Sequence, residues 1–242
     1  MVPPNGNLID FFTHIFPNGV TRLDLLRSFD KGASFEVAPI PVDLIFSIGT
    51  ITPDLQEPVR DAAILFDVAV DPHSGVLYAV WQDVRFAGVE EVAFAQSNDN
   101  GLTWSTPVRV NQTPVNAENP LREQAFLPSI EVGAEGQLVV TYYDFRNDNG
   151  EGGELTDYWA VYCSDECTQG ENWGEELRLT DRSFDMLDAP VAGGHFLGDY
   201  MGLVAAGHLV HPVFGVADGP DQTSLYTRRV RPGFAGDISA LP

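Results

Sequence analysis

Two stretches share the pattern that decides the fold: residues 75–86 read GVLYAVWQDVRF, and residues 136–147 read GQLVVTYYDFRN. Aligned at an offset of 61 residues, they carry the same glycine, aspartate and arginine: Gly75 and Gly136, Asp83 and Asp144, Arg85 and Arg146. Each stretch follows an apolar run, ILFDVAV at 64–70 and FLPSIEV at 126–132. Repetition at a fixed period predicts an assembly of similar supersecondary units.

Each unit predicts four short strands in the same order. The apolar run is the first strand, a glycine turn follows, and the second strand ends in Asp-x-Arg. The third strands read EVAFAQS (91–97) and DYWAVYCS (157–164), and the fourth read STPVRVN (105–111) and EELRLTD (175–181). These runs are rich in β-branched and aromatic residues and are bounded by turn formers, as strands are. Four antiparallel strands per repeated unit predict an all-β fold of propeller blades.

Partial units flank the two complete ones, which span 61–112 and 124–180. Residues 7–40 and residues 195–230 each supply three predicted strands. The chain, taken as a single domain over 1–242, therefore carries about 14 strands, or about three and a half four-stranded blades.

This number of blades is too small to close a ring, because propellers normally have about four to eight blades. An open stack would expose apolar faces and unpaired strand edges. Three explanations stay open: a fragment of a longer protein, fewer blades in a shifted register, or two copies that together supply about seven blades. We expect the third, a homodimer that completes the propeller.

A second motif occupies the turn between the third and fourth strands. Residues 28–35 read SFDKGASF and residues 97–104 read SNDNGLTW, and both fit S-x-D-x-G-x-[ST]-[WF]. The aspartate can accept backbone N–H bonds, the glycine can take a positive φ, and the aromatic ring can anchor the turn. The structural residues predicted in this way are Ser28, Asp30, Gly32, Phe35, Ser97, Asp99, Gly101 and Trp104. A degenerate third copy at 163–173 contains Cys163 and Cys167, which can form a local disulfide in an oxidising compartment.

These motifs, in phase with the strand repeat, resemble the Asp box, or bacterial neuraminidase repeat, of sialidase-like propellers. The segments YYDFRND (142–148), TDYWAVY (156–162) and HFLGDYMGLVAAG (195–207) are also similar to secreted bacterial proteins of this kind. The resemblance covers residues 7–230 and implies a secreted or periplasmic hydrolase. The first five residues lack the basic and apolar regions of a signal peptide, so a cytoplasmic location also stays open.

The resemblance implies that the active site lies on the face formed by the loops between second and third strands and by the links between blades. Sialidases combine three arginines that clamp a carboxylate, a nucleophilic tyrosine with a carboxylate partner, and an aspartate acid/base. The substrate-binding candidates are Arg85, Arg122 and Arg146. The catalytic candidates are Asp83, Tyr143, Asp144, His195, Asp199 and Tyr200. The Arg-Ile-Pro signature of sialidases is absent from this chain.

Other interpretations of these residues stay open. Because Asp-x-Arg occurs in both units, each pair can instead bridge neighbouring blades. The oxygen-rich loop around Asp144, Asn147, Asp148, Asn149 and Glu151 can hold calcium or another divalent metal, but its spacing does not fit an EF-hand, and a solvated loop is the alternative.

The composition limits the classes of molecule that this chain can bind. The net charge is −22, with 35 acidic and 13 basic residues, so nucleic acid and anionic membranes are excluded as partners. A small molecule or a glycan remains as the substrate. We therefore expect a sialidase-like glycosidase for acidic sugars. The alternatives are a different hydrolase of esters, lactones or phosphotriesters, with or without a metal, and a non-catalytic carbohydrate-binding or assembly module.

Overall fold

Four small antiparallel sheets follow one another along the chain in a computed structural model, which describes residues 1–61, 63–174, 176–218 and 222–231. The all-β prediction is confirmed. Helical structure within the described residues is limited to short 3-10 turns, the longest at Pro120–Glu123. None of the helices described has the length and apolar content needed to cross a bilayer. The predicted blade limits also run over Ala62, Glu175, residues 219–221 and residues 232–242, which lie outside the described residues.

Each sheet is built from strands that are neighbours in sequence. Sheet 1 contains β1 (Leu8–Ile15), β2 (Thr21–Ser28) and β3 (Ile40–Ile45). Sheet 2 contains β4 (Phe66–Val70), β5 (Leu77–Asp83), β6 (Glu91–Ser97) and β7 (Val108–Arg109). Sheet 3 contains β8 (Ala125–Val132), β9 (Leu138–Asp144), β10 (Leu155–Cys163), β11 (Leu177–Arg178) and β12 (Phe184–Asp185). Sheet 4 contains β13 (Gly202–Ala206), β14 (Leu209–Val216) and β15 (Ser224–Thr227).

Three apolar clusters lie between consecutive sheets. Leu25 and Trp81 belong to the cluster between sheets 1 and 2, and Phe94 and Tyr142 to the cluster between sheets 2 and 3. Every residue of β5 and of β9 is buried, because sheets 2 and 3 are covered on both faces. This explains why these strands are nearly continuous apolar runs and lack the alternating pattern of a half-exposed sheet.

The two predicted turns form after β2 and β6, closed by bonds to their aspartates. Thr103 donates to Asp99 twice, from its backbone N at 2.9 Å and from Oγ1 at 2.6 Å, and Ser97 Oγ donates to Oδ1 at 2.8 Å. Gly101 has φ 83°, and a Cβ there would lie 2.8 Å from the Leu25 side chain. The equivalent bonds, led by that from the Ser34 hydroxyl, lower the pKa of Asp30 to about 2.

The aromatic anchor forms in only one of these turns. Trp104 packs edge-on against Phe11, with ring centroids 6.0 Å apart. Phe35, by contrast, is 39 % exposed, so the prediction that this ring would be anchored is wrong. Pro39, which has no backbone N–H to donate to a ladder, precedes β3, and the strand begins at Ile40.

A disulfide between Cys163 and Cys167 closes the third turn. In the second turn the Gly101 backbone N–H donates to Ser97 Oγ, four residues earlier in the chain, at 2.9 Å. Cys163 occupies the same place at the end of its strand as Ser97, and it is bonded covalently to the residue four positions later. The disulfide therefore replaces the hydrogen bond that closes the second turn.

Candidate functional site

A cavity of about 240 Å³ lies at the amino-terminal ends of β4 and β13, beside an irregularity in β8. We call it the central cavity. It is lined by Asp61, Leu65, Phe66, Asp67, Gln82, Leu127, Pro128, Ser129, Asp199, Tyr200 and Met201. Its three aspartates come from two separate stretches of the chain, and they make up half of the polar side chains that line the cavity.

One wall is a rigid hydrogen-bonded chain that starts at Asp61. The carboxylate accepts bonds from Thr50 N at 2.6 Å and from Gln82 Nε2 at 2.8 Å. Gln82 in turn accepts a bond from Leu127 N at 3.0 Å. Leu127 has φ 53°, which is strained for a residue with a side chain, and it lies where the β8 ladder shifts register. Asp61 and Gln82 therefore hold the β8 bulge against the cavity.

Asp67 belongs to β4, and its carboxylate connects this strand with β8. Each carboxylate oxygen accepts a bond from one backbone N–H. Oδ1 accepts from Val68 N at 2.8 Å and Oδ2 from Ile130 N at 2.9 Å. Burial raises the pKa of Asp67, and the two backbone bonds oppose that rise. A carboxyl group with a raised pKa at a cavity wall is suited to donate a proton.

Asp199 stands at the other side of the cavity and is held by Arg60. Arg60 Nε and Nη2 donate to its two oxygens at 2.9 and 2.8 Å. The guanidinium also donates to Ala192 O at 3.2 Å and lies 4.6 Å above the ring of Phe196. Tyr200 is 71 % exposed. Asp199 is thus a fixed, ion-paired carboxylate with an exposed aromatic ring beside it.

The first Asp-x-Arg pair is part of the packing between sheets. Asp83 is fully buried and accepts bonds from Trp81 Nε1 at 2.9 Å and from Arg85 Nη2 at 2.8 Å. Arg85 also donates to Asp43 at 3.0 Å and to the carbonyl of Leu44 at 2.7 Å, which ties sheet 2 to sheet 1.

The second pair repeats this arrangement between sheets 2 and 3. Asp144 is fully buried and accepts bonds from Arg146 and, at 2.9 Å, from Thr113 Oγ1. Burial raises the pKa of Asp144 to about 6, and its interactions with Arg146 oppose that rise. Arg146 also pairs with Glu176 and lies 3.9 Å over the ring of Trp159. Both pairs therefore have the bridging role that the repeat left open.

The remaining candidates are also engaged away from the central cavity. Tyr143 is fully buried and donates to Gly215 O at 2.8 Å, and burial raises its pKa, so this phenol is a core group. His195 contacts Glu57 at 2.9 Å through Nε2, while its buried Nδ1 has no partner. Of the predicted catalytic residues, the structure brings only Asp199 and Tyr200 to the cavity.

The predicted arginine clamp does not assemble at the central cavity. None of Arg85, Arg122 and Arg146 belongs to the described residues that line it. Arg122 donates to Asp148 at 2.7 Å and to Asp54 at 2.9 Å. Each arginine is occupied by carboxylates of its own neighbourhood.

The group that best fits a metal lies around Arg122. Carboxylate oxygens of Asp54, Asp148 and Glu154 lie within 4.8 Å of one another. Arg122 contributes a positive charge to this group, and the backbone N–H groups of Asp54 and Leu55 donate to Glu154. These interactions offset part of the negative charge of the three carboxylates.

Sequence reasoning missed Asp61, Asp67 and Gln82 in the wall of the central cavity, and Arg60, which holds Asp199. A signal existed for Asp67, the one acidic residue in the apolar run 64–70. Arg60 and Asp61 lie in a link without a motif, and only the fold brings Arg60 to Asp199, 139 positions later.

Solved structures with similar folds are β-propeller glycoside hydrolases. A Penicillium chrysogenum α-L-arabinanase superposes with a TM-score of 0.54 at 16 % identity, over 95 % of this chain and 61 % of that one. A Hadza microbial sialidase gives 0.52 at 16 % identity, over 94 % and 42 %. The phage phi92 endosialidase gives 0.51 at 13 % identity, over 91 % and 33 %. This chain thus spans less than two thirds of each. No protein-family model and no curated protein matches it. At these identities the likeness establishes the fold.

Proposed function

We propose that this chain belongs to a propeller glycoside hydrolase in which Asp67 and Asp199 are the acid and base that act on a glycan in the central cavity. The observation that carries the proposal is a cavity lined by three aspartates, two of which, Asp67 and Asp199, have contrasting environments. Asp67 is desolvated, with a raised pKa, whereas Asp199 is paired with a guanidinium. Glycosidases use such pairs, one as acid and one as carboxylate.

The roles follow from these environments. Asp67 donates its proton to the leaving glycosidic oxygen. Asp199 activates water or attacks the sugar directly, depending on how far the two groups stand apart when substrate is bound. Arg60 fixes the orientation of Asp199, and Tyr200 offers a ring for the apolar face of a sugar.

The substrate favoured by this site is a neutral glycan. Recognition of an acidic sugar needs guanidinium groups that are free to bind its carboxylate. The three predicted clamp arginines are paired with internal carboxylates, and Arg60 is paired with Asp199. The expectation of an acidic sugar therefore has little support in the geometry.

Two further expectations remain part of the proposal. A second copy of the chain completes the propeller, and the support is a face of sheet 4 that is exposed among the described residues. The protein works in a secreted or periplasmic setting, and the disulfide between Cys163 and Cys167 supports this because such bonds persist in oxidising compartments.

Hydrolysis of a panel of aryl glycosides tests the proposal. The panel contains neutral pentosides and hexosides, a sialoside and an aryl ester. We expect turnover of a neutral glycoside, and a loss of about 10²-fold to 10⁴-fold in Asp67→Asn and Asp199→Asn. The exposed Asp10→Asn is the matched control and should keep wild-type rates. Sialoside turnover, ester turnover alone, or full activity in Asp67→Asn would refute the assignment, and no turnover at all would favour a binding module.

A further inference from the structure

A second cavity, of about 750 Å³, lies between sheets 3 and 4. We call it the seam cavity. Its walls are residues 180–185 and Asp188 on one side and parts of β14, β15 and the adjoining chain on the other: Phe214, Val216, Ala217, Asp218, Tyr226 and Arg228. Its volume falls within the range of about 300–1,000 Å³ that is typical of small-molecule sites.

Both arginines of the seam cavity are paired with aspartates of its wall. Arg182 donates to Asp218 at 3.1 Å, and Tyr226 donates to the same carboxylate at 2.7 Å. Arg228 pairs with Asp181 at 2.8 Å. An anionic ligand would have to break these pairs, whereas hydroxyl groups can bond to the donors and acceptors as they stand.

Aromatic and apolar groups supply the rest of the wall. Phe184 and Phe214 are buried at the cavity, and Tyr226 is partly exposed beside them. Rings beside a polar rim fit a sugar, which has an apolar face of C–H groups and an edge of hydroxyls. Most residues that line the cavity are polar or charged, which suits a ligand with many hydroxyl groups.

One segment of chain contributes to both cavities. The segment leading from β11 to β13 lines the seam cavity at Phe184 and Asp188 and reaches the central cavity at Asp199 and Tyr200.

From these observations we propose that the seam cavity is a second carbohydrate-binding site, which holds a neutral oligosaccharide apart from the residues that carry out the chemistry. The choice of a neutral glycan as ligand rests on the proposed function. The site itself rests on the cavity, its paired charges and its rings.

Calorimetric titration of the full chain with neutral linear hexasaccharides from arabinan, xylan and β-glucan tests the site. The titrations use Asp67→Asn to prevent turnover. We expect binding of one of these, weakened about tenfold by Arg182→Ala, which removes a hydrogen-bonding partner. Arg182 is 81 % exposed in its side chain, so the substitution should not disturb folding. Arg229→Ala, also exposed but outside the cavity, is the matched control and should bind normally. Tyr226→Ala removes the ring and should weaken binding at least as much.

Turnover of aryl monosaccharides separates this inference from the proposed function. In an otherwise wild-type chain, Arg182→Ala should leave that turnover unchanged, because a monosaccharide glycoside occupies only the central cavity. Hexasaccharide binding without any turnover would keep the seam site and refute the proposed function. Binding that is lost in Tyr200→Ala but unchanged in Arg182→Ala and Tyr226→Ala, or no binding of any of the three hexasaccharides, would overturn the seam site.

Discussion

Asp67 and Asp83 show how burial assigns different roles to the same side chain. Asp83 accepts hydrogen bonds from three groups, among them an indole and a guanidinium, and a further one from the backbone N–H of Arg85. These bonds join two sheets. Asp67 has only one backbone N–H on each oxygen and faces a cavity. The sequence marked Asp83 through its repetition, but repetition is a property of structural residues. Asp67 is not repeated in the aligned strand, where Ser129 stands.

The raised pKa of Asp67 predicts a specific pH dependence of stability. Its folded-state pKa lies above the ordinary value of 3.8, so the folded protein binds this proton more tightly than the unfolded chain does. The stability from this group is therefore complete below about pH 3.8 and is lost as the pH rises through the raised pKa. Asp67→Asn should remove this loss. Urea titrations should therefore show that the free energy of unfolding of the mutant rises relative to that of the wild type as the pH increases. A constant difference in unfolding free energy between pH 3 and pH 8 would contradict the account.

Asp99→Ala tests the turn after β6 at the level of one residue. It leaves the Thr103 amide and two hydroxyls without their acceptor, which should lower the free energy of unfolding by about 1–3 kcal/mol. Chemical denaturation measures this, with exposed Asp10→Ala as the control. Hydrolytic activity should be nearly unchanged, and lost activity at unchanged stability would show that the turn has been assigned the wrong role.

Among the elements, strands were predicted better than links. The runs that form β5 and β9 are mostly apolar, and each follows a glycine turn. The links between sheets have no such pattern, and Arg60, Asp61 and Asp199 all lie in links. Sheet 3 contains one strand more than the four predicted for each unit. This strand is β12, whose two residues pair with the start of β10. A contact of that length leaves no periodic trace in the sequence.

Comparison of the wild type with a double serine mutant tests the structural role of the disulfide. Replacing both Cys163 and Cys167 with serine releases a short loop, and chain entropy gives a loss of about 2 kcal/mol. The two cysteines are the only ones in the chain and both are bonded. Dithiothreitol should therefore lower the unfolding midpoint of the wild type and leave that of the double mutant unchanged. An equal response of both proteins to the reductant would contradict a structural role.

At the scale of the molecule, sheet 4 presents an apolar face that no other sheet of the described residues covers. Val204, Val213 and Leu225 lie on one face of three paired strands and are 54 %, 40 % and 76 % exposed. The opposite face carries Phe214, which packs against sheet 3. Since the gaps between consecutive sheets are filled by apolar side chains, we expect the free face to pack against a similar surface.

Light scattering tests whether a second copy provides that partner. The chain has a mass of 26.4 kDa, and a completed ring of two copies should give about twice that value. Leu225→Glu should shift the protein towards the monomer. The control Val2→Ser, at an exposed residue outside sheet 4, should not. A stable wild-type monomer at micromolar concentration would reject the homodimer.

The central claim is that a glycan binds where β4, β8 and β13 meet, between Asp67 and Asp199. A crystal structure of Asp67→Asn with a neutral oligosaccharide tests it most directly. We predict a glycosidic oxygen within hydrogen-bonding distance of residue 67 and a sugar ring against Tyr200. A sugar bound instead at Arg85, Arg122 or Arg146, with the central cavity empty at saturating ligand, would contradict the claim.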